Sequence, residues 1–246
     1  MKKNNSIVVK NIFKNYVLGQ IGAASFLSNF LNYLGLRNKQ PIIKKALQNI
    51  SLEIKKGEKV AIIGKNGSGK STLLKILSRV TTPSDGEVEI CGKVMSLLEV
   101  GLGFHHELTG LENIYLNGSI LGIERKSIDK KIYEIIKFSE LGDFINTPIK
   151  RYSSGMVARL GFSIGIFLNS NILILDEILA VVDNNFRTKC IKKICDLKKN
   201  HVLTILFVSH NFELISQICN RGIVLDSGSM LFDGKIDRAI SFYKSI

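Results

Sequence analysis

The chain has 246 residues, 34 Lys and Arg against 21 Asp and Glu, and a formal net charge of +13. At ~150 residues per domain it holds one to two domains, and one domain with an inserted subdomain fits equally well. A hydrophobic content of 45% excludes wholesale disorder, and apolar stretches such as Leu160–Leu168 fall short of the ~18–20 residues that span a membrane.

Met1-Lys2-Lys3-Asn4-Asn5 leads only into the short Ile7-Val8-Val9 run, which does not read as a secretory signal. Cys91, Cys190, Cys195 and Cys219 form no C-x-x-C pair, so reduced cytosolic thiols are expected rather than a zinc or redox site. The positive charge fits nucleic acid or an anionic membrane as partner, or a plain lysine coat, since the lysines are spread in ones and twos.

In chain order, Ser25–Leu36 sets Phe26, Leu27, Phe30, Leu31 and Leu34 on one helical stripe ahead of Arg37-Asn38-Lys39. That stripe suits a core-packing helix or one lying at a membrane interface. Asn49–Ile54, Glu87–Ile90 and Lys93–Leu98 suggest antiparallel strands. Lys59–Ile63 reads as a buried strand, followed by a helix over Ser71–Arg79. Thr109-Gly-Leu-Glu112 is a capping box that opens a helix through about Leu121. Ser127 is placed to cap Ile128–Glu140, which closes at Leu141-Gly142. A helix from about Gly155 to Leu168 leads into a second buried strand, Ile172–Leu175. Arg187–Lys199 and Phe212–Cys219 read as helices flanking the strand Val202–Val208. Buried strands alternating with helices predict an α/β fold with a parallel sheet covered on both faces. The mainly helical stretch from Phe104 to Ser163 predicts an inserted helical subdomain.

Gly64-Lys65-Asn66-Gly67-Ser68-Gly69-Lys70-Ser71 matches the phosphate-binding loop G-x-x-x-x-G-K-[ST], between a strand and a helix as that motif requires. Glycines let successive N–H groups face the phosphates, and the helix N-terminus adds its dipole. Lys70 supplies a point charge for the β- and γ-phosphates, and Ser71 a hydroxyl for Mg²⁺. The strand ending in Asp176-Glu177 puts two carboxylates where open α/β sheets collect ligands. Asp176 suits the metal shell, and Glu177 suits polarising a water for attack on the γ-phosphate. The pair of motifs points to binding and hydrolysis of a nucleoside triphosphate.

Beyond these, the chain resembles the ATP-binding-cassette (ABC) ATPases over nearly its whole length. Arg151-Tyr-Ser-Ser-Gly-Met156 stands where that family has L-S-G-G-Q, its Gly155 lying 21 residues before Asp176. Ser153 and Gly155 match; Tyr152, Ser154 and Met156 depart. Val182-Asp183 falls where the family's D-loop ends, and His210 follows a strand as its switch histidine does. Glu99 takes the place of the Q-loop glutamine, and Tyr16 that of the aromatic stacked on adenine. The stretch Leu97–Asn113, with the signature and the loop Leu179–Asp183, resembles the ATPase subunits of polysaccharide exporters: O-antigen, capsule and teichoic-acid systems.

The resemblance implies a P-loop NTPase core at about 1–98 and 170–246, an N-terminal antiparallel β-subdomain, and a helical subdomain inserted at about 104–165. The end at Ile246 is too early for the carbohydrate-binding domain that some such ATPases append. It further implies ATP and Mg²⁺ as cofactors, with Gly64–Thr72 and Tyr16 holding ATP, Ser71 and Asp176 the metal, and Glu177, His210 and Lys70 catalytic. Two chains would sandwich two ATP molecules, each site completed by Ser153, Ser154, Gly155 and Met156 of the other copy. A separate transmembrane permease, docked near Glu99–Leu121, would carry a lipid-linked glycan that this chain does not itself touch. The expected place is the cytoplasmic face of the cell (inner) membrane. A rival reading is a soluble ABC ATPase acting on nucleic acid or ribosomes, but neither a second cassette nor a long coiled coil is present. A P-loop kinase leaves the signature, D-loop and switch histidine without a purpose.

Overall fold

The computed structural model describes residues 4–18, 42–97, 103–168, 171–176, 182–198, 203–209 and 211–246. Two sheets share one hydrophobic layer. The smaller is antiparallel, in the order β2 (Ile42–Lys55), β1 (Asn5–Leu18), β4 (Asp85–Ile90). The larger runs β5 (Val94–Leu97), β6 (Ile172–Asp176), β7 (Thr204–Val208), β3 (Lys59–Ile63), β8 (Arg221–Asp226), β9 (Ser229–Lys235). Its first five strands are parallel, and β9 returns antiparallel to β8.

Alternation along the buried strands divides the core in two. Val60, Ile62, Ile172, Ile174, Leu206 and Val208 pack toward the small sheet and α1 (Lys70–Leu77). Ala61, Ile63, Leu173, Leu175, Ile205 and Phe207 pack toward the helices of the opposite face. Between β5 and β6 the chain inserts α2 (Gly110–Ile120), α3 (Arg125–Ser139) and α4 (Ser154–Phe167). After β6 come α5 (Asn184–Lys198), α6 (Phe212–Ile218) and the terminal α7 (Ile236–Lys244).

Several expectations need correction. Lys93–Leu98 was expected as an antiparallel strand, yet Val94–Leu97 pairs in parallel with β6, Val94 opposite Ile172. Asn171 makes the junction: its Oδ1 accepts from the Lys93 N–H at 2.8 Å, and its own N–H donates to the Lys93 carbonyl at 3.0 Å. The Ile7-Val8-Val9 run is part of a 14-residue strand whose alternation is hidden by irregular register and by Asn11 at φ +49°. β2 begins seven residues ahead of the expected Asn49. α3 starts at Arg125, not Ile128; Ser127 lies inside its first turn, its N–H donating to the Glu124 carbonyl at 2.8 Å. α5 starts at Asn184 rather than Arg187 because the Asp183 carboxylate accepts from the Phe186 N–H at 3.0 Å. The hairpin β8–β9 and α7 went unforeseen, although Ser227-Gly228 (φ +47° and +81°) is a two-residue turn of the kind that closes hairpins. The stripe Ser25–Leu36, Glu99, Glu177 and His210 lie outside the described residues.

Candidate nucleotide-binding site

The loop between β3 and α1 lies at the centre of the large sheet, where β3 is flanked by β7 and β8. Gly69, at φ +104°, is the N-cap of α1 without a side-chain cap, so the backbone makes this turn alone. A Cβ at Gly69 would fall 2.7 Å from the Ala46 carbonyl oxygen, and one at Gly64 would fall 2.3 Å from that of Leu225. The loop is therefore wedged between β2 and β8, and the β8–β9 turn fastens it by a 3.0 Å bond from the Gly228 N–H to the Ser68 carbonyl. Only at Gly67 is the space beside the backbone open, with nothing within 4 Å.

Into this frame the chain places two buried polar side chains. Lys70 is 8% exposed, and its Nζ donates to the Gly64 and Lys65 carbonyl oxygens at 2.7 and 2.9 Å. The ammonium thus lies across the loop. Ser68 is 2% exposed, and its Oγ is buried with no hydrogen-bond partner. A buried ammonium and an unpartnered buried hydroxyl in one loop are both donors from which phosphate oxygens can accept. Lys65, Asn66 and Gly67 are exposed, as is Ser71 on the first turn of α1; Thr72 next to it is half-buried. The Ser71 hydroxyl and the Asp176 carboxylate are hard oxygen donors of the kind Mg²⁺ takes.

β6 and β7 end on the same edge of the sheet as β3, with Asp176 in register with Val208. Asp176 is thus two strand spacings, roughly 10 Å, from the loop's own strand. Tyr16 is 36% exposed, with the Lys14 Nζ 5.2 Å from its ring centroid. It pairs with Lys44, two residues or roughly 7 Å along β2 from Ala46, which crowds the loop at Gly69.

The signature turn is a different kind of structure. Ser153 caps α4, its Oγ accepting from the Met156 N–H at 3.2 Å. Ser153 and Ser154 are exposed, and Gly155 and Met156 half-buried. Tyr152 anchors the turn from below: its hydroxyl donates to the Phe144 carbonyl at 2.6 Å, and a Cβ at Gly110 would meet that hydroxyl. Burial pushes the Tyr152 phenol up to about 12. One turn further along α4, Arg159 pairs with Asp183 and with Glu140, and its guanidinium lies 5.1 Å from the Phe186 ring. The Phe186 N–H, then the Arg159 guanidinium, hold the Asp183 carboxyl down at about 2. Lys189 on α5 completes the cluster, 2.6 Å from Glu140.

Sequence reasoning missed Arg159, Glu140 and Lys189, and the asparagines of α2. Asn113 is fully buried; its Oδ1 accepts from the His105 N–H at 2.8 Å, and its Nδ2 donates to the His105, Leu108 and Thr109 carbonyls. Two weak helix formers four residues apart, Asn113 and Asn117, were the available signal.

Comparison with known proteins decides the family. The ABC transporter family profile matches residues 47–180. The chain belongs to the ABC transporter family. As an ABC ATPase it binds and hydrolyses ATP. The O-antigen export ATP-binding protein RfbB of Klebsiella pneumoniae is 50% identical over 199 residues, which are 81% of this chain and 80% of that protein. The teichoic acids export ATP-binding protein TagH of Enterococcus faecalis is 41% identical over all of this chain and 54% of its own length. The bacterial ABC transporter cassette MJ0796, solved as a dimer, superposes with a TM-score of 0.74 at 25% identity, over 94% of this chain and 98% of that one.

Proposed function

We propose that this ABC ATPase drives export of a lipid-linked polysaccharide across the cytoplasmic membrane. The observation that carries the reading is its likeness to ATP-binding proteins of O-antigen and teichoic-acid export. Two copies close on two ATP molecules, each held by Gly64–Thr72 of one copy and Ser153–Met156 of the other, with Tyr16 stacked on adenine. Lys70 and the Ser68 hydroxyl bind phosphate oxygens, Glu177 orients the attacking water, and His210 contacts the γ-phosphate. Ser71 and Asp176 hold Mg²⁺, whose charge offsets that of the phosphate oxygens. Arg159 ties Asp183 to the signature helix, so closure moves the D-loop and the signature as one body.

Among the described residues no helix is long and apolar enough to cross a membrane. By likeness to the ATP-binding proteins of export systems, the pore is assigned to a separate permease and the chain to the cytoplasmic face of the inner membrane. The permease docks near Glu99–Leu121, at the start of the helical subdomain of about 104–165, while residues near 1–98 and 170–246 form the nucleotide core. In the sequence Glu99 falls between the two. The glycan itself is handled by the permease.

Deleting the gene tests this. Surface polysaccharide should disappear, lipid-linked glycan should build up inside, and the Lys70→Ala chain should fail to restore export. Normal surface glycan in the deletion strain, or co-purification of the chain with ribosomes or DNA in place of membranes, would overturn the reading in favour of a soluble ATPase.

A further inference from the structure

Past Phe13 the small sheet narrows to a ribbon. β4 leaves β1 at the pair Phe13–Asp85, and β1 and β2 continue alone through Tyr16–Lys44, Val17–Ile43 and Leu18–Ile42. Cross-strand partners share a face and neighbours along a strand alternate. Val17 and Ile43 therefore face one way, and Tyr16, Lys44 and Ile42 the other. Apolar side chains stand in solvent on both faces: Ile42 is 69% exposed, Ile43 57% and Val17 47%. A ribbon seated on a protein surface buries one face and leaves the other to water. Two apolar faces suit a medium that surrounds the ribbon.

The charge is arranged to match. Exposed Lys44 and Lys45 each stand two residues behind an isoleucine of their own face, Ile42 and Ile43 respectively. Their stems can lie along the apolar tip while the ammonium groups stay at headgroup level. No Asp or Glu precedes Glu53, whereas eight lysines and arginines occur from Lys2 to Lys45. Of these, Lys44 and Lys45 stand exposed on the ribbon itself, whereas the Lys10 ammonium is paired with Glu87 and Glu89.

We propose that the β1–β2 ribbon enters the headgroup layer of an anionic bilayer and anchors the ATPase to lipid without help from a permease. This rests on the membrane-bound reading above, and it adds a contact made by this chain itself. The chain has no tryptophan, so Ile42→Trp and Ile43→Trp each install one reporter, on opposite faces. The purified full chain is mixed with vesicles of phosphatidylcholine, alone or blended with phosphatidylglycerol, and sedimented. Binding should favour the anionic vesicles by ~10-fold or more and weaken with salt. Both tryptophans should shift to the blue. Ile42→Asp together with Ile43→Asp should cut partition by at least ~10-fold. Lys44→Gln with Lys45→Gln should cut it by roughly 10- to 30-fold. Leu231→Asp, an exposed site on β9, should change nothing. ATP turnover in solution should be the same in the isoleucine and Leu231 variants, so a failed vesicle assay leaves the exporter reading standing and a normal deletion strain leaves the vesicle result standing. The proposal falls if anionic vesicles do not bind the chain, or if only one tryptophan shifts, which marks a one-sided protein contact. It also falls if polyuridylate strips the protein from vesicles while the isoleucine changes leave binding intact, which marks a nucleic-acid surface.

Discussion

The phosphate loop and the signature turn both open a helix with small residues, yet they are held in opposite ways. The loop is one unbroken stretch, fixed by backbone contacts with Ala46, Leu225 and Gly228, and Lys70 folds back on the loop's own carbonyls. The signature turn is exposed, and side chains from distant elements hold it: Tyr152 to Phe144, Arg159 to Asp183 and Glu140, Lys189 to Glu140. A site built of backbone depends on few side chains, each with a large effect. A site built of side chains spreads its dependence over many, each modest. The predictions below test that division.

The largest effect belongs to Lys70. Lys70→Ala removes the one buried ammonium in the loop, and ATPase turnover should fall by roughly 10³-fold, with nucleotide binding lost in equilibrium dialysis. The fold should survive, because the contacts with Ala46, Leu225 and Gly228 still hold the loop once the Gly64 and Lys65 carbonyls lose the ammonium. Turnover near the wild-type rate would remove the loop from the site.

Next stands Glu177→Gln, which keeps shape and hydrogen-bonding reach but removes the negative charge proposed to orient water. ATP affinity should persist while turnover falls by roughly 10²–10⁴. Since the proposed cycle has hydrolysis reopen the sandwich, size-exclusion chromatography with ATP and Mg²⁺ should show this variant as a dimer and the wild type mostly as a monomer. A slow variant that never dimerises would spare the chemistry and break the two-copy site.

This contrast also explains how far the sequence could be read. The phosphate loop was legible because its constraints are local: spacing, glycines, and a strand and helix on either side. The two buttresses behind it were not. Gly228 reaches Ser68 across 160 residues of chain, and no local pattern announces such a contact. The capping box at Thr109 was read correctly for the same reason as the loop, since four consecutive residues carry it whole. Ser127 misled because a serine in a first turn resembles a cap, and only the bond from its N–H to the Glu124 carbonyl tells them apart. Strand β5 misled because pairing direction is a property of the partner, which sits 78 residues later. Arg159 looked like one more surface cation until Asp183 and Glu140 arrived beside it.

The third prediction concerns that arginine. Arg159→Met removes two ion pairs and the contact with Phe186 that together join α3, α4 and α5. The side chain is a quarter exposed, so solvent screens part of the loss. The expected cost is about 1–2 kcal/mol, read as a fall in melting temperature of roughly 4 °C. Arg159→Lys should recover little, because one ammonium cannot serve both carboxylates and the ring. Nucleotide affinity of the isolated chain should hold. If it falls with stability, the two halves of the site are not separately held, and the division drawn here is wrong.

The smallest effect is the most local, and it sits on the segment proposed to meet the permease. Two carboxylates there carry different work. Glu107 pairs with Lys150 on the surface at 2.5 Å, whereas Glu112 accepts from the Thr109 N–H and hydroxyl, both at 2.8 Å, to close the capping box of α2. Glu107→Lys is therefore the clean test of docking: transport should uncouple while ATPase activity of the isolated chain persists. Transport at the wild-type rate would place the permease elsewhere. Charge reversal at Glu112 would confuse docking with an unmade cap, so Glu112→Gln is the better change there. Glutamine still reaches the Thr109 N–H, and at neutral pH melting should drop by only roughly 1 °C, the part due to charge at the helix N-terminus. The pH dependence gives the sign. The Thr109 N–H, then its hydroxyl, hold the Glu112 carboxyl below its ordinary value of 4.5. A carboxyl depressed in the folded state adds stability that is fully present above that ordinary value and is lost as pH falls through the folded one. The small lead of wild type over Glu112→Gln should thus be constant at neutral pH and shrink on acidification. A lead that grew in acid would mean that the carboxylate is not what closes the box.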